Sequence, residues 1–382
     1  MEQKILKYLE KVKSGYLEIT TPQKNRIEIG DKNSKIKADI NINSWHLVDL
    51  VLSKGDIGFG KAYIENIFTT TSLENLLSFI TTNQQELEPL FHSNILYSAF
   101  FQIKNLFKKN SLKGSKKNIE YHYDLGNDFY KLWLDETMSY SSGIFDSDNC
   151  LVESQKNKYH RILENLNKNG ADILEIGCGW GGFIHEASKR GYHIKGLTLS
   201  HEQKSYADNL IKKKNLNAKI YIQDYRLEKE KFDNIVSIEM FEAVGKDYWN
   251  DYFAKIKECL KKDGKAMIQT IVIDDKYYNK YLKTSDYIRE YIFPGGFLPS
   301  PNIFKKLAND NNLRIIEEFQ FSDSYNKTLL QWLENFNSKK SEILKLGYSE
   351  KFFKKWQFYL AYCAAGFNCK RTNIVQYCLG HV

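Results

Sequence analysis

Apolar and polar residues follow two different rhythms along this chain. From Met1 to about Tyr97 the pattern is short and mixed. Alternation in Arg26-Ile27-Glu28-Ile29 and from Lys35 to Ile40 has the period of two that predicts strands with one buried face. Ser72 to Ile80 predicts a helix, with Gly55, Gly58 and Gly60 punctuating a turn before it. From Ile173 onward, short apolar runs alternate with longer amphipathic stretches. The runs Ile173–Ile176, His193–Thr198, Lys219–Ile222, Asn234–Ile238 and Ala266–Val272 predict five strands. Between them, helices are expected up to Gly191, over His201–Lys214, and over Tyr248–Lys262 with Gly264 as its cap. Strands near Leu313–Phe319 and Asn373–Leu379 complete the sheet. Strand and helix in regular alternation predict a doubly wound α/β domain, preceded by a smaller α+β domain.

The two regions meet where the composition shifts, which sets expected bounds of 1–99, a basic connector at 100–120, and 121–382. Phe100–Phe107 is rich in aromatics and leads into Lys108, Lys109, Lys113, Lys116 and Lys117, with Gly114 and Ser115 among them. Such a run reads as an exposed linker, and the same lysines suit the surface of an anionic bilayer. The net charge of +8 is spread along the chain and names no partner. Aromatic residues reach 14%, which suits a large core or an apolar ligand cavity. The six cysteines form no C-x-x-C pair and no zinc spacing, so no metal is expected and the compartment reads as reducing. No apolar stretch approaches the length of a membrane span and no apolar signal region opens the chain. The expectation is a soluble or peripheral cytoplasmic protein.

One motif narrows the chemistry. Glu175-Ile176-Gly177-Cys178-Gly179-Trp180-Gly181-Gly182 follows a strand and opens a helix. Glycines there let backbone approach a ligand closely above a helix N-terminus. A dinucleotide fingerprint needs G-x-G-x-x-G, whereas here the spacing is G-x-G-x-G-G with an acid two residues upstream. The segment resembles motif I of the S-adenosylmethionine methyltransferases. Asp224 and Tyr225 follow the third strand, and Asp224 stands where such enzymes hold the adenine amino group. Thr198, Ser200 and Gln203 follow the second strand, where many of them carry a ribose-binding acid.

Further segments narrow the resemblance: Tyr121-His122-Tyr123-Asp124-Leu125-Gly126-Asn127, Tyr140-Ser141-Ser142-Gly143, Gly196-Leu197-Thr198-Leu199-Ser200, Glu239-Met240-Phe241-Glu242-Ala243-Val244-Gly245 and Tyr291-Ile292-Phe293-Pro294-Gly295-Gly296. In this order they resemble the cyclopropane-fatty-acyl-phospholipid synthase and mycolic acid cyclopropane synthase family. The resemblance implies a Rossmann-like methyltransferase sheet and transfer of a methyl group to a cis double bond in an unsaturated phospholipid acyl chain. It places Tyr140, Ser141, Glu175, Gly177, Gly179, Gly181, Thr198, Ser200, Gln203, Asp224 and Tyr225 around S-adenosylmethionine. It implies a bicarbonate base held partly by Glu242 and Tyr325, and an active-site role for Cys363, which otherwise reads as a small buried hydrophobe. Its partners would be phospholipid and the inner face of an anionic membrane. A homodimer is compatible with it, although the sequence gives no oligomeric state.

The chemistry asks for such residues. An alkene needs no deprotonation to act as a nucleophile, so alignment in a dry cavity supplies much of the acceleration. The cation left on the chain must be kept from water, and aromatic faces stabilise it. Tyr277, Tyr278, Tyr281, Tyr287, Tyr291, Phe293 and Phe297, between Asp274 and Ser300, are candidates, or simply pack against the sheet. Loss of a proton from the transferred methyl closes the ring and needs a base, for which Glu242 is the expected carboxylate. His122 is a further candidate, with a structural turn histidine as the plainer reading. Ala243 and Gln269 stand where the family usually shows His, and Ser142 where it shows Cys. These departures bear on the product, which is a cyclopropane or, after a hydride shift, a methyl-branched or methylene chain. A lipid-binding protein without turnover is disfavoured by the intact glycine turn, and a nucleic-acid methyltransferase by the lack of an Asn-Pro-Pro-Tyr type motif.

Overall fold

The computed structural model describes residue 9 and residues 11–91, 125–146, 150–167 and 171–382, with backbone alone for 88–91. The basic connector and His122 lie outside the described residues. Among those described, no helix is long and apolar enough to cross a membrane, and no cluster of His, Cys, Asp and Glu is built to hold a metal. All six cysteines are free thiols.

Backbone contacts divide the chain into two compact units. The first contains Met1–Phe107 together with Asn279–Ile292 and Phe336–Arg371. Its four-stranded sheet has the order β2-β1-β3-β4, from β1 (Tyr16–Thr20), β2 (Arg26–Gly30), β3 (Lys37–Ile42) and β4 (Phe68–Thr69). β1 pairs antiparallel with β2 and parallel with β3. In β1 the side chains Leu17 and Ile19 alternate inward, as period-two patterning requires. Ser72 caps the helix Leu73–Thr82 by accepting from the Asn75 amide at 3.2 Å.

The expected glycine turn is instead a helix, His46–Ile64, broken only at Gly55, where φ is 59° and ψ −133°. Gly58 and Gly60 are helical, and crowding by neighbours leaves no room there for a side chain. A Cβ on Gly60 would collide with the Tyr287 ring, which lies 4.4 Å from the Phe358 ring on helix Glu350–Asn368. Tyr287 also donates to the Lys355 carbonyl at 3.0 Å, and Tyr362 donates to Asp56 at 2.6 Å. These contacts tie the later segments to the first unit.

The second unit holds a seven-stranded sheet of order β10-β11-β9-β8-β5-β6-β7. Its strands are β5 (Asp172–Ile176), β6 (His193–Thr198), β7 (Ala218–Ile222), β8 (Phe232–Ile238), β9 (Leu260–Ile273), β10 (Leu313–Gln320) and β11 (Thr372–His381). β5 through β9 are parallel, while β11 runs antiparallel to both β9 and β10. Every strand expected here is present. The helix before β9 differs, ending at Cys259 rather than Lys262. Leu260 already pairs with Phe232 of β8, so Gly264 lies within a strand irregularity and caps nothing. Two apolar layers sandwich the sheet. One is built around Phe241, Trp249, Tyr252 and Phe304, and the other around Tyr159, Phe183, Ile194 and Met267.

Gly60→Ala should destabilise the first unit by about 1–3 kcal/mol, the usual cost of overpacking. Denaturant unfolding that shows wild-type stability for this variant contradicts the contact.

Candidate active site

The chain leaves β5 on one side to form β6 and returns on the other to form β8, so their following loops part. A crevice at the carboxyl ends of the strands is the result. A crevice of about 1120 Å³, counting the open solvent at its mouth, lies there. Gly177 and Gly179 adopt φ of 83° and 53°, a region that side chains resist, and both form its wall. A Cβ on Gly179 would meet no protein atom within 4 Å, so this face of the turn is open to a ligand. Gly181 sits behind it as the N-cap of helix Gly182–Lys189.

Tyr140, Ser141, Glu175, Thr198, Gln203, Asp224 and Tyr225 also line the cavity. Glu175 is 2% exposed and one of its carboxylate oxygens has no hydrogen-bond partner. Burial pushes its pKa well up, against the charge of Lys158. An orphaned acceptor on a cavity wall suits a ligand donor. Thr198 donates to Gln203 at 2.9 Å, while Ser200 caps helix His201–Lys214 through the Gln203 amide and does not reach the cavity. Asp224 accepts from the Arg226 guanidinium at 2.9 and 2.6 Å. Arg226 is itself a wall residue that the sequence did not single out.

Aromatic rings crowd one side, but they are not those of the 274–300 segment. Tyr140 packs against Tyr130, Trp133 and Trp332 at 5.4–5.5 Å, and Trp180 lies 4.9 Å from Tyr130. Tyr281, Tyr287 and Tyr291 belong to the other unit, and Phe297 packs on Trp249.

At the end of β8 the residue that comes forward is Glu239, three positions before the expected Glu242. Its backbone takes φ of 51°, uncommon for a side chain of this size, and its amide donates to the Gln269 carbonyl at 2.8 Å. One carboxylate oxygen accepts from the Ser142 amide and from Gln269 Nε2, both at 2.8 Å. The other accepts from the Tyr325 hydroxyl at 2.5 Å. Glu239 forms part of the cavity wall. Burial raises its pKa, and these donors together with the Lys158 charge act against the rise. The resemblance sets Tyr325 against a bicarbonate, and Gln269 and Ser142 stand where the family's His and Cys belong to the same pocket. Here they grip a carboxylate of the chain itself, and a second anion would have to share its donors and face its charge.

Glu242 does not line the cavity. Its Oε1 accepts from the Ile271 amide and, at 3.1 Å, from Thr270, while Oε2 has no partner. Burial and the neighbouring Glu239 charge push its pKa up to about 8. Lys158, absent from the sequence-based candidates, is fully buried and donates to Ser141 Oγ at 2.6 Å and to Gln155. Burial pulls its pKa down to about 8, against the attraction of Glu239, Asp135 and Glu175. Cys363 is half-buried on helix Glu350–Asn368 of the first unit.

Residues 110–377 match the family model described as mycolic acid cyclopropane synthetase. The chain belongs to that family. It is 32% identical over 373 residues, 94% of each chain, to the cyclopropane-fatty-acyl-phospholipid synthase of Escherichia coli K12. It is also 32% identical to the tuberculostearic acid methyltransferase UfaA1 of Mycobacterium tuberculosis, over 85% of this chain and 79% of that one. Among solved structures, the mycolic acid cyclopropane synthase CmaA1 complexed with SAH and CTAB aligns with a TM-score of 0.66. That match is 28% identical and covers 69% of this chain and 97% of CmaA1. The protein is thus an S-adenosylmethionine-dependent methyltransferase. The open glycine cradle, the orphaned Glu175 oxygen and the aromatic wall fit that cofactor.

Two measurements check this site. Gly179→Val should abolish S-adenosylmethionine binding in calorimetry, because the branched side chain fills the cradle and resists its φ. Glu242 holds a proton in the folded state that the unfolded chain has already released. Between the ordinary carboxylate range and about 8, stability therefore declines as pH rises. Glu242→Gln removes that decline, so its advantage in melting temperature over wild type should widen from about pH 5 to about pH 8. A gap independent of pH contradicts a buried, protonated Glu242.

Proposed function

We propose that the enzyme transfers a methyl group from S-adenosylmethionine to the cis double bond of an unsaturated phospholipid acyl chain, and that Glu239 takes the proton released afterwards. The observation that carries this reading is a carboxylate on the cavity wall, anchored by Tyr325, Gln269 and Ser142. When bound, the cofactor supplies an electrophilic methyl group. The double bond needs no base to attack it, so the residues act by orienting the chain and excluding water. Tyr140 and the rings behind it offer aromatic faces to positive charge. Removal of a proton from the new methyl then ends the reaction. Burial makes Glu239 a stronger base, while three donors and the Lys158 charge act against the rise in its pKa. No step needs bicarbonate, since the groups that would hold it hold Glu239.

Ring closure gives a cyclopropane, in line with the Escherichia coli relative. A second reading follows from the relative named for tuberculostearic acid, and from Ala243 and Gln269 in place of the family's His. There the cation shifts by hydride migration before the proton leaves, giving a methylene chain if the proton comes from the new methyl and a methyl-branched alkene if it comes from the acyl chain. In either case the substrate lies in a bilayer, and the enzyme works from the cytoplasmic face as a peripheral protein.

Glu239→Gln should lower turnover on the order of 10²-fold or more while S-adenosylmethionine affinity stays unchanged. Mass spectrometry and NMR of acyl chains from labelled methyl donor would identify ring, branch or methylene. Wild-type turnover in Glu239→Gln, or turnover that depends on added bicarbonate, overturns the assignment of the base.

A further inference from the structure

We infer that Arg161 and Gln376 are positioning residues, which fix the direction of the Gln269 amide and so hold Glu239 in its proton-accepting form. The inference rests on the reading of Glu239 as the base. Behind Gln269 runs a line of hydrogen bonds. Gln269 Nε2 donates to Glu239 at 2.8 Å, and Gln269 Oε1 accepts from Gln376 Nε2 at 2.9 Å. Gln376 Oε1 in turn accepts from Arg161 Nη1 at 3.0 Å. Gln269 on β9 and Gln376 on β11 are direct partners in the antiparallel register, so their side chains share one face.

An amide between two polar groups can face either way, because its oxygen and nitrogen differ little in shape. A guanidinium has no such freedom. It carries only donors, so Gln376 must turn its oxygen to Arg161 and its nitrogen to Gln269. Gln269 must then turn its own nitrogen to Glu239, which is satisfied only as an acceptor. Reversing the line would set a donor against a donor at Arg161 and require a protonated Glu239. Both glutamines are 1% exposed, so water cannot readily stand in for a lost partner.

Arg161 is itself held from outside the line. It ion-pairs with Glu317 of β10 and its guanidinium lies 4.0 Å from the Phe319 ring. The ionisable groups that interact with Glu239 are Tyr325, Lys158 and Tyr159 on the same helix as Arg161, and Glu242 on its own turn. They act on its charge but leave the Gln269 amide free to rotate. The line from Arg161 sets its direction, together with the longer contact by which the Ser142 carbonyl accepts from the same Nε2 at 3.4 Å.

The test measures kcat against pH for the full-length enzyme with S-adenosylmethionine and vesicles containing an unsaturated phospholipid. Arg161→Met and Gln376→Leu should each move the acidic limb of kcat up by about one pH unit and lower kcat below that limb about tenfold. The direction follows because a carboxylate that loses a donor binds its proton more tightly. Cofactor affinity and KM should not change. Arg161→Lys, which also only donates, should restore the wild-type limb, and Glu317→Gln should leave it in place. Gln376→Leu keeps the Arg161 charge, so its shift reports orientation and not charge, and it serves alone if Arg161→Met does not fold. An unmoved limb in Gln376→Leu, with Glu239→Gln inactive, overturns the relay but leaves the base intact. An active Glu239→Gln overturns the base itself.

Discussion

One carboxylate at the end of β8 sets the terms for what surrounds it. Glu239 stands on a left-handed turn that a residue with a side chain adopts at some cost, and three donors from three different elements converge on it. Its surroundings balance two needs. Burial raises its pKa, while the donors and the Lys158 charge oppose the rise. Glu242, a few atoms along the chain, lacks such help at one oxygen and is pushed toward the neutral form. Two carboxyl groups from one short turn thereby meet different surroundings, three donors at one and a partnerless oxygen at the other.

The sheet and the cofactor cradle were legible in the sequence because each rests on local signals. Apolar runs in regular alternation with amphipathic helices fixed β5 to β11, and the glycines at 177, 179 and 181 marked the turn after β5. The helix through Gly58 and Gly60 was not legible, because what makes those glycines necessary is Tyr287 and Leu50, and only the fold brings Tyr287 there. The same limit applies to the site. Glu239 and Glu242 look alike in sequence, and only hydrogen-bond partners separate them. Lys158 reads as one more polar residue on an amphipathic helix, yet it is fully buried. Gln376, Gln269 and Arg161 become neighbours through the pairing of β9 and β11, and no pattern along the chain announces that.

The buried polar groups of the second unit are costly one by one. Lys158, Gln155, Gln203, Gln269 and Gln376, withdrawn from water, each lose favourable contacts with it. Together they stabilise one another, since each acceptor on Ser141, Glu239 or Gln269 meets a donor of fixed direction. Such networks tolerate little substitution, because removing one member leaves another unpaired.

The route of the chain between its two units has a consequence for inheritance. The first unit is assembled from three separate stretches, so the polypeptide passes between the units five times. A module bounded by a single linker can be cut out, fused elsewhere or exchanged by one recombination event. Here a cut at any one junction divides at least one of the units, and a cut at any of the first four strands helix Glu350–Asn368 from the four-stranded sheet of its own unit. The two units are therefore bound to be inherited, expressed and engineered as one piece.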